Sequence, residues 1–352
     1  MLFPDGLDQL PRLKKPRDQA STLNALALAY DASGQPGRAL RLYRLSIDPA
    51  VEHDRMGLAV GLGNISDPLR ISGALRESEC AARRALSMCR ELTDLLHEAV
   101  SLYLLGLTLA ARGASSEALV SLQRSLRMLT VQENEQGEGV VRALLAQRAL
   151  WIGDAAAARG LANRAWQLAA VHQVKRDFIR AERLQGAAGL ALHDLATAVG
   201  RLQDALSHAR EVNAVDEELP ALAALAELRR KQGELKAARE LLDDVWELAE
   251  RGPYPLFHAD ALNVLAQIER DAAQTDPSRR DAAVEAATKA YRLAWCDGPP
   301  FAYHWGLEAA RAHLKALGAP EPTDLPPYDE SKYEPMPEVE INPPDEFGRA
   351  AE

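Results

Sequence analysis

Polar side chains recur at related positions through the middle and second half of this chain, and they are its best candidates for ligand chemistry. Arginine can grip a carboxylate through two parallel hydrogen bonds, and asparagine or glutamine can satisfy a peptide backbone. These residue types predict a groove that binds a peptide or a partner protein, with a preference for acidic groups in its C-terminal half. The candidates are Tyr103, Gln147, Arg180, Arg183, Glu227, Arg230, Asn263, Gln267 and Arg270, and Asp260 occupies one more position of the same series.

Motifs that would carry catalysis or hold a cofactor are missing from the sequence. No G-x-x-x-x-G-K-S/T loop occurs, and G-x-S-x-G, H-E-x-x-H and C-x-x-C do not occur either. Cys80, Cys89 and Cys296 are too scattered for a disulfide framework or a metal site. We therefore expect a chain that is not an enzyme and holds neither cofactor nor metal.

Charge and hydropathy limit the partners of this 352-residue chain. Its formal net charge of −10 argues against the nucleic-acid backbone as the main ligand. The sequence has no apolar run long enough to cross a membrane and no signal-peptide pattern at its start. The expectation is a cytoplasmic protein that binds neither nucleic acid nor membranes.

The elements that must position these side chains repeat with a period of about 40 residues. Small residues mark the period along almost the whole chain, and a second ladder of glycines, interrupted by His193, follows each mark. A fixed period of this length is typical of a repeat solenoid. The marks are Ala27, Ser66, Gly106, Ala146, Gly186, Ala226, Ala266 and Gly306.

The third repeat shows what one unit contains. Apolar residues between Ala99 and Leu109 follow helical spacing, Gly113 ends that helix, and Ser115 and Ser116 can begin a second one. Each unit is therefore predicted to be a helix hairpin whose small marks let the two helices approach closely. Pro68 should break or shift the first helix of the second unit.

Counting units gives the predicted architecture: an all-α, right-handed α-solenoid of about seven hairpins and a C-terminal capping helix. The boundaries are an N-terminal lead at 1–19, the solenoid at 20–317 with its cap at 301–317, and a tail at 318–352. The tail is rich in proline and acidic residues, so it is expected to be extended or disordered. Alternatively it lies along the solenoid or a partner, with Tyr328, Tyr333, Met336 and Phe347 as anchors.

One segment resembles a known repeat closely. The stretch "LALAYDASGQPGRALRLYRLS", with Ala27, Tyr30, Gly34, Ala39 and Tyr43 at the key positions, resembles the tetratricopeptide repeat (TPR). The 40-residue period and the C-terminal run are similar to the sensor arms of bacterial STAND-type signalling ATPases. The resemblance implies a concave face lined by the first helix of each hairpin.

Together these features predict a non-catalytic scaffold that binds protein or peptide as the sensing arm of a bacterial signalling protein. An ATPase or effector domain could then belong to the same full-length chain. Two alternatives stay open: a standalone peptide-sensing TPR regulator, and an enzyme with a pocket inside the superhelix.

A cluster of aromatic residues near the C-terminal cap is a second candidate site. Phe301, Tyr303 and His304 follow a Pro-Pro pair and could form an exposed aromatic patch. The alternative interpretation is that they pack the terminal helix.

Overall fold

The computed structural model describes residues 2–4, 6–7, 9–250 and 252–343, except for the side chains of residues 48–53 and 250. These residues form fifteen α-helices and one 3-10 helix, with no strand among them. The helices are α1 Pro16–Ala32, α2 Pro36–His53, α3 Arg55–Ile71, α4 Leu75–Glu91, α5 Leu95–Ala111, α6 Ser115–Val131, α7 Glu135–Trp151 and α8 Ala155–His172. They continue as α9 Lys175–Ala191, α10 Leu195–Val212, α11 Val215–Lys231, α12 Leu235–Glu250, α13 Pro255–Ala272, α14 Arg279–Ala294 and α15 His304–Leu317, and the 3-10 helix is Glu330–Lys332.

Successive helices pair as hairpins, and α15 follows the seventh hairpin without a partner. The odd-numbered helices are the first helices of the hairpins. The period marks let the paired helices touch: a Cβ on Gly106 would lie 2.8 Å from Leu122 Cγ, and one on Gly186 would lie 2.6 Å from Leu202 Cγ. The predicted solenoid of seven hairpins and a cap is confirmed for the described residues.

The turns inside the hairpins need a left-handed backbone. Gly34, Gly73, Gly113, Gly153 and Gly233 have φ values between 75° and 85°, a region that glycine enters without steric cost. His193 takes the same place in the fifth hairpin with φ of 60°. The glycine ladder in the sequence therefore marks the turns.

Two local expectations were wrong. Helix α3 runs through Pro68 because this residue lies in the last turn, where its ring removes only the bond to the Asn64 carbonyl. The cap begins at His304 rather than at 301, because Tyr303 is extended and Phe301 and Ala302 belong to the turn before it.

The solenoid closes on itself after five hairpins. The turn of the first hairpin meets the start of α11 in the sixth: Asn213 Nδ2 donates to Ser33 O at 2.9 Å, and a Cβ on Gly34 would lie 2.4 Å from Val215. The turn of the second hairpin meets the start of α13, with Gly73 against Pro255, and that of the third meets α15, with Gly113 against His304. The loops inside the first three hairpins thus pack against α11, α13 and α15, which lie one superhelical turn further along the chain.

Residues 319–343 run against both turns of the superhelix as a mostly extended segment that contains the 3-10 helix Glu330–Lys332. Near the last hairpin, Asp324 pairs with Arg292 at 2.7 Å, and Trp295 Nε1 donates to Pro326 O at 2.7 Å. Farther on, Arg124 on α6 donates to Pro343 O at 3.1 Å. Phe347, one of the four suggested anchors, lies outside the described residues.

We predict that Gly34→Ala destabilises the protein more than Gly153→Ala does. Both changes place a side chain in the left-handed region at a cost of about 1 kcal/mol. Only Gly34 also meets Val215, whereas a Cβ on Gly153 would meet nothing within 4 Å, so overpacking should add about 1–3 kcal/mol at Gly34. Urea unfolding of both variants measures the difference, and equal losses would contradict the inter-turn contact.

Candidate functional site: the channel of the superhelix

The closed superhelix encloses a small channel cavity of about 130 Å³. Six successive odd-numbered helices, α3 to α13, line it together with Tyr303. The position of the lining residues within the helix shifts from repeat to repeat. They lie in the last turn of α3, in the middle of α9 and near the start of α13. Its residues are Arg70, Leu107, Ala143, Leu144, Gln147, Trp151, Arg180, Arg183, Leu184, Asp216, Glu217, Pro220, Leu256, Phe257, Asp260 and Tyr303.

The arginines of the cavity are paired with carboxylates of the same chain. Arg180 Nε donates to Glu217 Oε1 at 2.5 Å, and Arg183 Nε donates to Glu217 Oε2 at 2.7 Å. Burial would raise the pKa of Glu217, but the two guanidiniums outweigh it and hold that pKa at about 2. The positive charge of this wall is therefore largely compensated before any ligand enters.

Asp260 is the exception among the carboxylates of the cavity. Tyr303 Oη donates to its Oδ2 at 2.9 Å, and this is the one hydrogen bond that the described residues give it. Burial raises the pKa of Asp260 to about 7, and the Tyr303 bond lowers it only in part. No arginine or lysine side chain pairs with Asp260 in the described part of the chain.

Aromatic rings lie next to Tyr303 and line the same cavity as Asp260. Trp151 packs edge-on against Tyr303, with ring centroids 6.4 Å apart, and stacks on Trp305 at 6.1 Å. Phe257 lines the same cavity from the first turn of α13. Burial and the neighbouring Asp260 raise the pKa of Tyr303 well above 10, so its hydroxyl stays protonated and acts as a donor.

The structure separates the candidates proposed from sequence. Gln147, Arg180 and Arg183 line the cavity, as does Asp260. Tyr103 is partly buried on α5, close enough to Arg180 to feel its charge, and burial raises its pKa to about 12.

The remaining groove candidates lie on α11 and α13, outside the cavity lining. Arg230 pairs with Glu227 at 2.6 Å and with Asp271, while Asn263 Nδ2 donates to Gly306 O at 2.9 Å and so belongs to the packing of α15. Burial, with the charges of Arg270 and Arg230, lowers the pKa of His313 to about 4. Gln267 is partly buried on α13.

The expected acidic preference of the groove is not supported by these contacts. Arg180, Arg183 and Arg230 each have a carboxylate partner within the chain. An acidic ligand would have to displace those carboxylates and leave them buried without a counter-charge.

The predicted exposed aromatic patch is also wrong. Phe301 is 9% exposed and Tyr303 is 1% exposed. Tyr328 of the C-terminal segment covers Phe301, with ring centroids 5.0 Å apart, and Tyr303 points to Asp260. His304 is partly buried beneath the Gly113 turn.

Sequence reasoning missed several residues of the cavity, chiefly Trp151, Asp216, Glu217 and Phe257. Glu217 is only 2% exposed, and a buried carboxylate is uncommon unless it is paired with a cation. The sequence candidates lie at equivalent helix positions in each repeat, whereas the cavity lining lies nearer the start of the helix in later repeats.

Comparisons with known proteins show the fold. No family model matches the chain, and no curated protein matches it in sequence. A Rap protein solved with competence and sporulation factor is 11% identical, with a TM-score of 0.56 over 85% of this chain and 88% of that one. The Rap conjugation gene regulator of a plasmid, solved with a Phr peptide, is 9% identical, with a TM-score of 0.53 over 87% of this chain and 97% of that one.

The predicted fold is therefore confirmed: the described residues form an all-α solenoid of TPR-like helix hairpins, the fold of these solved structures. It also resembles the STAND protein with a tetratricopeptide repeat sensor from Pyrococcus horikoshii, at 16% identity over 85% of this chain and 44% of that one. The TM-score of 0.47 is too low for that likeness to carry further argument. Among the helices that the structure describes, none has the length and apolar character needed to span a membrane.

We predict that Glu217→Gln costs about 3 kcal/mol of unfolding free energy, because it leaves Arg180 and Arg183 buried beside a neutral side chain. The wild-type carboxylate, with its pKa lowered from 4.5 to about 2, contributes stability that is present above pH 4.5 and lost as the pH falls toward 2. Urea unfolding measures both effects.

Glu135→Gln is the matched control, because Glu135 pairs with His172 at an exposed site and should contribute less than about 1 kcal/mol. A loss at Glu217 as small as the control's would show that the buried network does not hold the channel wall.

Proposed function

We propose that the protein is a non-catalytic binding protein whose channel takes a peptide, or a flexible segment of a partner protein, with a cationic group placed against Asp260. The observation that carries the proposal is the lone carboxylate: Asp260 lies in the cavity with a tyrosine hydroxyl as its partner and without a cation. An ammonium or guanidinium group would supply the missing charge.

The surroundings of Asp260 suit a cation. Trp151, Phe257 and Tyr303 line the same cavity as Asp260, and a cation over such a ring is stabilised by about 0.5–2 kcal/mol. The cavity has a volume of about 130 Å³ and is lined by residues of six helices and by Tyr303. The cavity fits part of an extended chain, such as one arginine or lysine side chain.

The chemistry of the cavity supports binding rather than catalysis. A raised carboxylate pKa in a cleft can also mark a general acid or base. Here the group in contact with Asp260 is the Tyr303 hydroxyl, which burial keeps protonated and therefore poorly nucleophilic. Among the described residues that line the cavity there is no serine, threonine, cysteine or histidine.

The setting that we favour is signalling. One solved structure of the same fold holds a Phr peptide, and another Rap protein was solved with competence and sporulation factor. We propose the same kind of ligand for this chain, acting as the sensing arm of a larger signalling protein or as a standalone regulator. The binding step is the same in both settings.

Paired peptide pools test this proposal. One pool of mixed pentapeptides carries arginine at a fixed position, and the other carries citrulline, which has nearly the same shape without the charge. We expect the full chain to bind the arginine pool about 10–100-fold more tightly, as the loss of a hydrogen bond to a charged group implies. Asp260→Asn should abolish this discrimination, whereas Asp276→Asn, at an exposed loop position, should preserve it.

Binding is measured by retention on the immobilised protein followed by isothermal titration of the retained sequences. Equal affinity for both pools would contradict the role of Asp260, and so would discrimination that survives Asp260→Asn. Recovery of cleaved peptides would contradict a non-catalytic function and favour the enzyme alternative.

The affinity for the arginine pool should also depend on pH. Because the pKa of Asp260 is raised to about 7, the carboxyl group is mostly neutral below this pH and ionised above it. A cation binds the ionised form, so the affinity should rise about tenfold from about pH 6 to about pH 8. Titrations across this range check the rise, and Asp260→Asn should give a flat profile.

A further inference from the structure

We propose that residues 328–336 are a latch that seats around Arg76 and holds Tyr303 in place in the channel. The latch and its seat follow from the contacts of the C-terminal segment alone. Its effect on ligand binding rests on the function proposed above.

The contacts of the latch centre on one buried arginine side chain. Arg76 on α4 is 2% exposed, although its side chain carries a full charge. Its Nε donates to Tyr328 Oη at 3.0 Å, and its Nη2 donates to Glu334 O at 2.7 Å. Its Nη1 lies 3.7 Å from Met336 Sδ. The C-terminal segment thus supplies a partner for every nitrogen of this guanidinium.

Aromatic rings close the seat from two sides. The Arg76 guanidinium lies 5.5 Å from the ring centroid of Phe301 and 5.5 Å from that of Tyr333. Tyr328 packs on Phe301 and on Tyr333, with centroids 5.0 Å and 5.7 Å apart. A buried guanidinium needs its hydrogen bonds satisfied, so removal of the segment would leave Arg76 and Phe301 open to water.

The same segment fixes the connection between α14 and α15. Asp297 in this connection accepts from the backbone N of Arg76 at 2.9 Å and from Tyr333 Oη at 3.1 Å. Trp295, at the start of the connection, donates to Pro326 O. The segment therefore holds the connection at Trp295, Asp297 and Phe301.

The far end of this connection reaches the channel. Tyr303, two residues after Phe301, donates its backbone N to Ala294 O at 2.8 Å and its hydroxyl to Asp260. The latch and the cavity thus act on opposite ends of residues 297–303. Loss of the latch would remove the Tyr333 bond to Asp297 and the Tyr328 ring that covers Phe301. Asp297 would keep its bond to the backbone of Arg76, and Tyr303 would lose part of the support that aims its hydroxyl at Asp260.

Coupling between two sites is reciprocal in equilibrium binding. If the latch holds Tyr303 in the geometry that a ligand needs, its release must weaken ligand binding, and a bound ligand must strengthen the latch by the same factor. Occupancy of the channel would then change how tightly the C-terminal segment is held against the outer side of α4.

Cys296 gives a native probe of this connection. Its thiol is mostly buried beside Gly73, in the same apolar cluster as Tyr328 and Met336, and burial raises its pKa to about 12. Labelling of the full chain with a thiol-reactive disulfide reagent, read residue by residue by mass spectrometry, follows its exposure without any ligand. Cys89 is buried in α4 and serves as an internal control for the helical fold.

The test variant is Tyr328→Ala with Met336→Ala, and Glu338→Gln is the control because Glu338 is exposed on the same segment. We expect Cys296 in the double variant to be labelled at least tenfold faster, with Cys89 unchanged, and hydrogen exchange across residues 297–307 to rise. Unchanged labelling of Cys296 and unchanged exchange would overturn the latch.

Binding of the arginine pool separates the latch from its effect on the channel. A weaker affinity in the double variant supports positioning of Tyr303 by the latch. Faster labelling with unchanged affinity overturns that positioning role. If the wild-type protein binds no pool, the proposed function fails, while hydrogen exchange at Tyr303 still decides whether the latch holds this residue.

Discussion

The fold of this protein depends on the contact between successive turns of its superhelix. A TPR hairpin buries its faces only against its neighbours along the array, so nothing in a single repeat sets the pitch of the coil. Here the turns of the first three hairpins seat on the starts of α11, α13 and α15, and this contact fixes five hairpins per superhelical turn. The closed channel exists because this seating holds the odd-numbered helices around a common axis.

Closure of the superhelix also explains why charged side chains in the channel are paired with one another. Six helices bring arginines and carboxylates together around the cavity, where several of these side chains are buried and an unpaired buried charge is costly. The chain meets this cost by pairing Arg180 and Arg183 with Glu217. Asp260 does not follow the rule, since its partner is neutral Tyr303. A buried site that is left one cation short is the physical basis for the ligand chemistry that we propose.

The repeated features of the fold were predictable from the sequence, because local packing requires the same residue types at the same positions in every hairpin. The small marks require close helices, as Gly106 and Gly186 show, and the glycine ladder requires left-handed turns. Gln147, Arg180 and Arg183 were placed on the inward face from sequence because the resemblance to TPR proteins implied which face lies inward, and they line the cavity.

What could not be predicted arises between distant repeats. The seating of Gly34 on Val215 joins residues about 180 positions apart, and no periodic pattern specifies it. The cavity lining shifts from Arg70, late in α3, to Asp260, early in α13, so one set of helix positions applied to every repeat leaves out Glu217 and Phe257. The sequence left open whether the aromatic residues near the cap are exposed or pack the terminal helix, because the segment that covers Phe301 shows no helical pattern.

The most direct test of this account is an intramolecular disulfide between the first and sixth hairpins. Asn213 reaches the backbone of Ser33, so Ser33→Cys with Asn213→Cys should form a link in the monomer under mild oxidation, seen by faster migration on a non-reducing gel and by peptide mapping. Ile152→Cys with Asn213→Cys is the control, because Ile152 holds the equivalent place beside Gly153, which meets no other hairpin. A link in the first variant alone is the result that we predict. No link at Ser33, or equal linking in both variants, would mean that the superhelix does not close after five hairpins.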